Sequence, residues 1–164
     1  MSLVIICIVS CVLFGGIIIG SVLAKPTFWL QDFAPEVQKR YIETHPDFVV
    51  PDKEKGTRLV VVKKLIVSIV FVFLLAFLGY LSGVHTLKGA FINIYIIWAV
   101  VNIFDVLVLD LSVFAFWKKI RLPGTEHMDE EYKGNYKKHI KEGIFGLFIG
   151  VPICFLAALL VLIY

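Results

Sequence analysis

The amino-acid sequence predicts an all-α membrane protein, a single compact bundle of four transmembrane helices with short helices on its cytoplasmic surface. Of its 164 residues, 59% are hydrophobic and only 18% are charged, against about 45–50% and about 25% in soluble domains. The charges are also segregated, because all 16 Lys and Arg residues and 11 of the 13 acidic residues lie outside four long apolar stretches. Since soluble proteins spread charge over their surface helices, both observations indicate a protein embedded in lipid.

Four apolar stretches meet the length of a membrane-spanning helix, which is about 20 residues for about 30 Å of hydrocarbon. Span one is predicted at residues 3–24, span two at 65–81, span three at 90–116 and span four at 143–164. Span one differs from a signal peptide because no basic residue precedes Lys25 and its apolar run is too long. Glycines four residues apart favour close helix contacts in lipid; these pairs are Gly16 with Gly20, Gly79 with Gly83, and Gly146 with Gly150.

The positive charges in the loops predict the orientation of the spans. Loop one, residues 25–64, holds eight Lys and Arg residues, and loop three, residues 117–142, holds seven. The link at residues 82–89 holds only Lys88, and neither terminal segment carries a charged side chain. The positive-inside rule therefore places both loops in the cytoplasm and both termini outside, in a cytoplasmic (plasma) membrane.

The two loops contain predicted local structure. In loop one, Pro35 suits the first position of a helix, and we expect a helix on the membrane surface over 35–44 that ends at His45-Pro46. The other predicted elements are an extended Val49-Val50-Pro51, a solvated charged turn at 52–58, a turn at 122–125, and a helix at 130–141 that leads into span four.

Two aspartates, Asp105 and Asp110, lie inside span three, where a charged side chain costs about 2.5–3.5 kcal/mol on insertion scales. At about 100° per residue, Trp98, Asn102, Asp105 and Ser112 fall within about 80° of an α-helix, so this stripe should face the protein interior. Asp110 lies about 140° from Asp105 by the same geometry and is expected to point to another neighbour. We predict a polar pocket, open toward the cytoplasm, formed by Asn102, Asp105, Asp110 and Ser112.

Partners for the two carboxyl groups follow from the positions of other polar residues. No Lys, Arg or His occurs within the span cores, so Asp105 carries a proton, bonds to a polar side chain such as Asn102, Ser68 or Tyr80, or lines a wet cavity. Both acids could equally be structural, forming hydrogen bonds across helices that fix the bundle. Asp110 has potential partners at the starts of spans two and four, namely Lys63, Lys64, His139 and Lys141.

Loop three adds a second polar cluster that begins at Glu126 and His127. Together with span three it supplies candidates for general acid–base chemistry, namely Asp105, Asp110, Glu126 and His139. The side chains that could ligate a metal are Asp110, His127 and His139, but their spacing matches no metal-binding motif. We therefore predict no metal and no cofactor.

A series of short motifs runs through residues 90–150. It consists of Asn102-Ile103-Phe104-Asp105, then Asp110, then Leu122-Pro123-Gly124-Thr125-Glu126, and then His139. This series resembles small four-span bacterial membrane proteins of unassigned function. The resemblance implies a four-helix bundle in a bacterial inner membrane and implies no activity.

Three functions are compatible with these features. The first is a binding, accessory or interaction subunit whose partners are the lipid bilayer, a second copy or another membrane protein, or a lipid-like ligand. The second is an enzyme acting on a lipid-like substrate at the cytoplasmic face. The third is a dimeric proton- or ion-coupled transporter with Asp105 as the proton carrier. We favour the first because no P-loop or G-x-S-x-G motif occurs. Nucleic acid is not an expected partner, because no basic stripe with interleaved aromatics is present.

Overall fold

The computed structural model describes residues 1–48, 53–134 and 136–163, and no strand occurs within these ranges. The α-helices are α1 (Leu3–Ala24), α2 (Pro35–Thr44), α3 (Lys53–Leu81), α4 (Leu87–Phe104), α5 (Asp129–Gly134) and α6 (Tyr136–Val161). Helix α4 continues directly into a π-helix at Asp105–Phe114, which we call the π segment. Short 3₁₀ helices occupy Pro26–Asp32 and Lys118–Ile120.

Three helical stretches are long and apolar enough to cross a membrane, namely Leu3–Ala24, Leu87–Phe114 and Asp129–Val161. A shorter apolar helix covers Ser68–Leu81, the second half of α3. Large apolar side chains point outward on all of these elements, as Ile17, Phe73 and Phe148 illustrate with 68%, 59% and 70% exposure. Exposed apolar surface of this kind is favourable in lipid and unfavourable in water, and the all-helical class predicted from the sequence is confirmed for the described residues.

Close contacts divide the chain into two units. The first comprises the described residues of Met1–Ser10, Pro51–Val101 and Phe145–Tyr164, and the second those of Cys11–Val50 and Asn102–Ile144. The core of the first unit is apolar and contains Ile6, Leu75, Ile94, Ile97, Cys154, Ala157 and Ala158. Because lipid is as apolar as the core itself, tight van der Waals contact, rather than removal of apolar surface from water, holds this unit together in a membrane.

Glycines in α3 and α6 permit close helix contacts in the first unit. A Cβ on Gly79 would lie 2.6 Å from Cδ1 of Ile94, and a Cβ on Gly150 would overlap the indole of Trp98. The indole N–H of Trp98 donates to the carbonyl of Gly146 at 3.1 Å. The close contacts predicted for Gly79, Gly146 and Gly150 are therefore confirmed, whereas the one predicted for Gly83 is wrong, because a Cβ there would meet no described residue within 4 Å.

The glycines of α1 behave differently from this prediction. A Cβ on Gly16 or Gly20 would meet no atom of the described residues within 4 Å. The glycine of α1 that sits in a close contact is Gly15, against the ring of Phe104 at 3.1 Å from the ideal Cβ position. Four-residue spacing alone does not specify which face of a span meets a neighbour, and the prediction for Gly16 and Gly20 was wrong.

The core of the second unit forms against one face of α2. Val37 and Tyr41 on α2 are buried against Leu122, with Phe33 and Tyr132 packed at the edge. The helix predicted at 35–44 is confirmed, as is its end before His45-Pro46. Its apolar face, which we expected to lie on the membrane surface, is instead covered by loop three, because this loop supplies apolar side chains of its own.

The remaining loop predictions have mixed outcomes. The turn at 122–125 is confirmed, with Gly124 at φ 82°, and the helix at 130–141 corresponds to α5 and the start of α6. The charged turn predicted at 52–58 is wrong from Lys53 onward. Helix α3 begins at Lys53 and runs without a break through the predicted span two. The extended conformation expected for Val49-Val50-Pro51 lies outside the described residues.

Candidate polar site on the third membrane helix

The π segment changes the face on which each polar residue of the third span lies. In a π-helix each backbone N–H bonds to the carbonyl five residues earlier, so positions five apart come toward the same face. Asp105 and Asp110 have this spacing. Asp105 is the first residue of the π segment, and Asp110 lies near its middle. An α-helix would have separated them by about 140°. With α-helical geometry, Asp110 was therefore expected on a different face from Asp105, with His139 among its possible partners.

The side chain of Asp110 meets an imidazole of α6. His139 Nδ1 lies 3.1 Å from Oδ2 of Asp110, and both side chains are largely shielded, with 18% and 21% exposure. The carboxylate can only accept, so His139 donates through Nδ1. Glu142 reaches the same nitrogen only at 4.0 Å and is more exposed. Of the four predicted partners of Asp110, the structure shows His139 in contact with it, while the side chains of Lys63 and Lys64 lie outside the described residues.

The neighbouring carboxyl group of Asp105 is half-buried. It lies within electrostatic range of both Asp110 and His139. Across the described ranges, it forms no hydrogen bond and no ion pair. The three side chains therefore constitute one group, in which Asp110 is satisfied by His139 while Asp105 is not. We refer to Asp105, Asp110 and His139 as the acidic triad.

A close helix contact explains why His139 can reach the π segment. Gly143 lies one turn after His139 on α6, and a Cβ placed on it would overlap Val106 and come 3.7 Å from Oδ1 of Asn102. Any larger residue at position 143 would keep α6 farther from the π segment. Asn102 therefore lies at the edge of the contact between Gly143 and Val106, as a member of the polar pocket predicted from the sequence.

Ser112 does not join the acidic triad. Its side chain is exposed, and its hydroxyl donates to the carbonyl of Leu107 at 2.8 Å. The donor and acceptor are five residues apart, so this bond follows the pitch of the π segment. Of the four residues predicted to form the pocket, the structure brings Asp105 and Asp110 together, places Asn102 beside Gly143, and leaves Ser112 on the surface.

Glu126 belongs to a different cluster from the acidic triad. Its carboxylate accepts the backbone N–H of Gly124 at 3.1 Å. Backbone N–H groups, first its own and then that of Gly124, hold the pKa of the Glu126 carboxyl below its usual value. His127 beside it is exposed. These contacts close the turn at 122–125, and none of them connects Glu126 to His139.

Arg121 anchors this second cluster, and the sequence analysis did not single it out. Its side chain is only 1% exposed, and its Nη1 donates to a carboxylate oxygen of Asp129 and, at 2.7 Å, to the carbonyl of Glu126. Its guanidinium carbon lies 4.8 Å from the ring centre of Tyr132. The available signal was the choice of arginine in a loop whose other cations are all lysines, because a planar guanidinium suits buried forked contacts better than an ammonium.

Tyr132 completes the fixed part of loop three. Its hydroxyl accepts the backbone N–H of Leu122 at 3.1 Å and lies 2.8 Å from the hydroxyl of Thr125. Thr125, which is fully buried, donates to the carbonyl of Leu122 at 2.7 Å. The buried polar groups of the turn are thereby satisfied, as burial requires.

Within the described residues, no group of three or more His, Cys, Asp or Glu side chains is arranged to hold a metal ion. Of the three metal-ligand candidates, Asp110 and His139 contact each other and His127 lies in the other cluster. Comparison with protein-family models, with curated proteins and with solved structures finds no match. The resemblance to small four-span bacterial membrane proteins therefore stays a prediction.

Proposed function

We propose that this chain is a small four-span protein of a bacterial inner membrane, and that the acidic triad is a binding site for a cationic group. The cation would belong to a lipid-like ligand or to a partner membrane protein, so the chain acts as a binding or accessory subunit. The observation that carries this proposal is the Asp110–His139 contact at 3.1 Å beside a second carboxyl group without a partner in the described chain.

Charge supports a cationic occupant. With both aspartates ionised, the triad has a net charge of −1 when His139 is protonated and −2 when it is neutral. Either charge is unfavourable among apolar side chains, and a bound cation offsets it. The carboxyl group of Asp105, which makes no contact of this kind within the described residues, is therefore most simply explained by a ligand.

The contrast between the two aspartates argues against a purely structural role. The pair of Asp110 and His139 already links the π segment to α6 by a hydrogen bond. Asp105 adds no bond to this link and, when ionised, repels Asp110 because like charges lie close together. A chain selected only for bundle stability would gain by an apolar residue or asparagine at position 105.

An amphiphilic amine tests the proposal directly. The protein in nanodiscs would be heated with decylammonium or with decanol, which share the chain and differ in charge. We expect decylammonium, but not decanol, to raise the melting temperature of the parent protein, and we expect Asp105→Asn to abolish this increase. Ser112→Ala is the matched control, because it removes an exposed polar group of the same helix and should retain the response.

The outcomes of this experiment separate the alternatives. An equal response of the parent and Asp105→Asn would overturn the binding proposal. A different result would be that Asp105→Asn melts at a much higher temperature than the parent without any ligand, and that the parent does not respond to the amine. Asp105 would then destabilise the folded protein, and no ligand of this class would compensate for it.

A second function is favoured by the orientation of His139. A carboxylate that holds Nδ1 of an imidazole leaves Nε2 as a possible general base. In an enzyme acting on a lipid-like ester, His139 would take a proton from water as its oxygen bonds to the acyl carbon, and would return it to the departing alcohol. Hydrolysis of p-nitrophenyl decanoate by the reconstituted protein, lost in Asp110→Ala and kept in Glu126→Gln, is the expected result. Equal rates in the parent and Asp110→Ala would exclude this function.

A further inference from the structure

Two contacts bring α5 beside the end of the third membrane helix. Nζ of Lys133 lies 5.7 Å from the centre of the Phe116 ring, and Nζ of Lys118 lies 3.7 Å from Oδ2 of Asp129. Phe116 is 63% exposed. Lys118, which follows the membrane helix, and Lys133 of α5 are therefore both held at one place, the end of this helix, and Lys119 is the next residue after Lys118.

This place has a surplus of positive charge. Asp129 faces three cations, Arg121, Lys118 and Lys133, so one carboxylate is shared among three positive groups. Lys119 and Lys133 are both exposed. Across the described ranges, neither forms an ion pair, and the nearby acids Glu130 and Glu131 likewise form none. The ammonium groups of Lys119 and Lys133 are thus open to an external anion.

The surrounding side chains fix the depth of this place in a membrane. Phe116 and Trp117 end the third membrane helix and are both exposed. Aromatic rings favour the level of the lipid headgroups, and clusters of basic residues immediately beyond a membrane helix attract anionic lipids. An anion held by Lys119 and Lys133 would lie directly above apolar rings, which is where a phospholipid presents its phosphate and the first part of its acyl chains.

We propose that Lys119 and Lys133, together with Phe116 and Trp117, bind the headgroup of an anionic phospholipid. Lys118 adds to the positive electrostatic potential of this site while it keeps its contact with Asp129. This site is distinct from the acidic triad and has the opposite charge, so it neither requires nor supports the cation-binding proposal.

Titration with defined lipids tests the site. The full-length protein in a nonionic detergent would be titrated with phosphatidylglycerol or with phosphatidylcholine of the same acyl chains, and bound lipid counted by native mass spectrometry. A lysine near an anionic lipid surface strengthens binding about fivefold, so Lys119→Gln and Lys133→Gln should each raise the dissociation constant for phosphatidylglycerol by about that factor. Neither variant should change the weaker binding of phosphatidylcholine.

A lysine elsewhere in the predicted cytoplasmic loops provides the matched control. Lys39 on α2 is exposed and lies 4.0 Å from Glu43, and Lys39→Gln removes the same charge from a different place. We expect it to leave phosphatidylglycerol binding unchanged. An equal loss in Lys39→Gln, or no loss in Lys119→Gln and Lys133→Gln, would overturn the proposal. Displacement of the lipid by inorganic phosphate would also overturn it, because it would assign the lysines to a free anion.

Discussion

At the scale of single residues, Arg121 shows how loop three keeps one conformation. A guanidinium removed from water is costly unless its donors are matched, and Arg121 is matched by Asp129, the carbonyl of Glu126 and the face of Tyr132. Its Nε remains buried without a partner in the described structure. The fixation of loop three therefore depends on Asp129, because no other carboxylate contacts Arg121 in the described ranges.

Asp129→Asn should destabilise loop three. The amide keeps the shape of the side chain but leaves the buried guanidinium without its counter-charge, and loss of a hydrogen bond between charged groups destabilises the loop. Because Asp129 is itself partly exposed, we expect a modest effect. The measurement is the rate of proteolysis within residues 117–142. Glu131→Gln, which breaks no ion pair, should cleave at the parental rate, and equal rates in both variants would contradict the role given to Asp129.

Glu126 gives the turn at 122–125 a dependence on pH. Its pKa is lowered in the folded protein by backbone N–H groups, so the carboxylate stabilises the turn above the pKa of an unfolded glutamate. This contribution is lost as the pH falls through the lower folded pKa. We expect the amide resonance of Gly124 to titrate with a midpoint below that of glutamate in a flexible peptide. The titration should disappear in Glu126→Gln, and a persistent titration there would assign it to another group.

At the scale of elements, the π segment and α6 define the acidic triad together. The wider pitch brings Asp105 and Asp110 toward one face, and Gly143 lets α6 approach closely enough for His139 to reach Asp110. Long π-helical stretches are rare and occur often at functional sites. The triad therefore depends on backbone geometry as well as on the identity of its side chains.

Gly143→Ala should disturb the triad without changing any of its residues. The new methyl group would overlap Val106, and overpacking of this kind costs about 1–3 kcal/mol. We expect a lower melting temperature and a weaker amine response than in the parent. Gly16→Ala is the matched control, because a methyl group there meets nothing within 4 Å and alanine favours helix. Equal melting temperatures for the two variants would contradict the close approach of α6.

At the scale of the whole molecule, the number of spans decides which side of the membrane each end occupies. Three stretches qualify as spans by length and composition, and Ser68–Leu81 is a shorter apolar helix. We propose that this helix, extended by the apolar residues before it, is the additional span, because the positive charges of both long loops then lie on the cytoplasmic side. Three spans would instead place the two ends on opposite sides.

Epitope tags distinguish these arrangements. With four spans, tags at the N-terminus and the C-terminus should both bind antibody in intact spheroplasts. A tag inserted after Gly134 in loop three should bind only after the membrane is permeabilised. Accessibility of one terminal tag but not the other would support three spans, and the predicted orientation would then be incorrect.

The sequence by itself determined the helical class, the apolar runs long enough to cross a membrane, the helix at 35–44 and the turn at 122–125. These features follow from local properties: the length of apolar runs, the position of charges, and the backbone restrictions of proline and glycine. It also identified Asp105, Asp110 and His139, because ionisable residues in or beside an apolar span are conspicuous.

Only the tertiary structure decided which of these residues meet. The sequence offered Asp110 four partners, His139 among them, and assigned it to a different face from Asp105, since an α-helix was the natural assumption. The π pitch brought the two carboxyl groups toward one face, and the contact at Gly143 brought His139 to Asp110. Likewise, Arg121 and Tyr132 became visible as a unit only when the chain folded back on itself. Helical pitch and side-chain contacts between distant segments arise from the whole fold, and a local pattern of residues does not encode them separately.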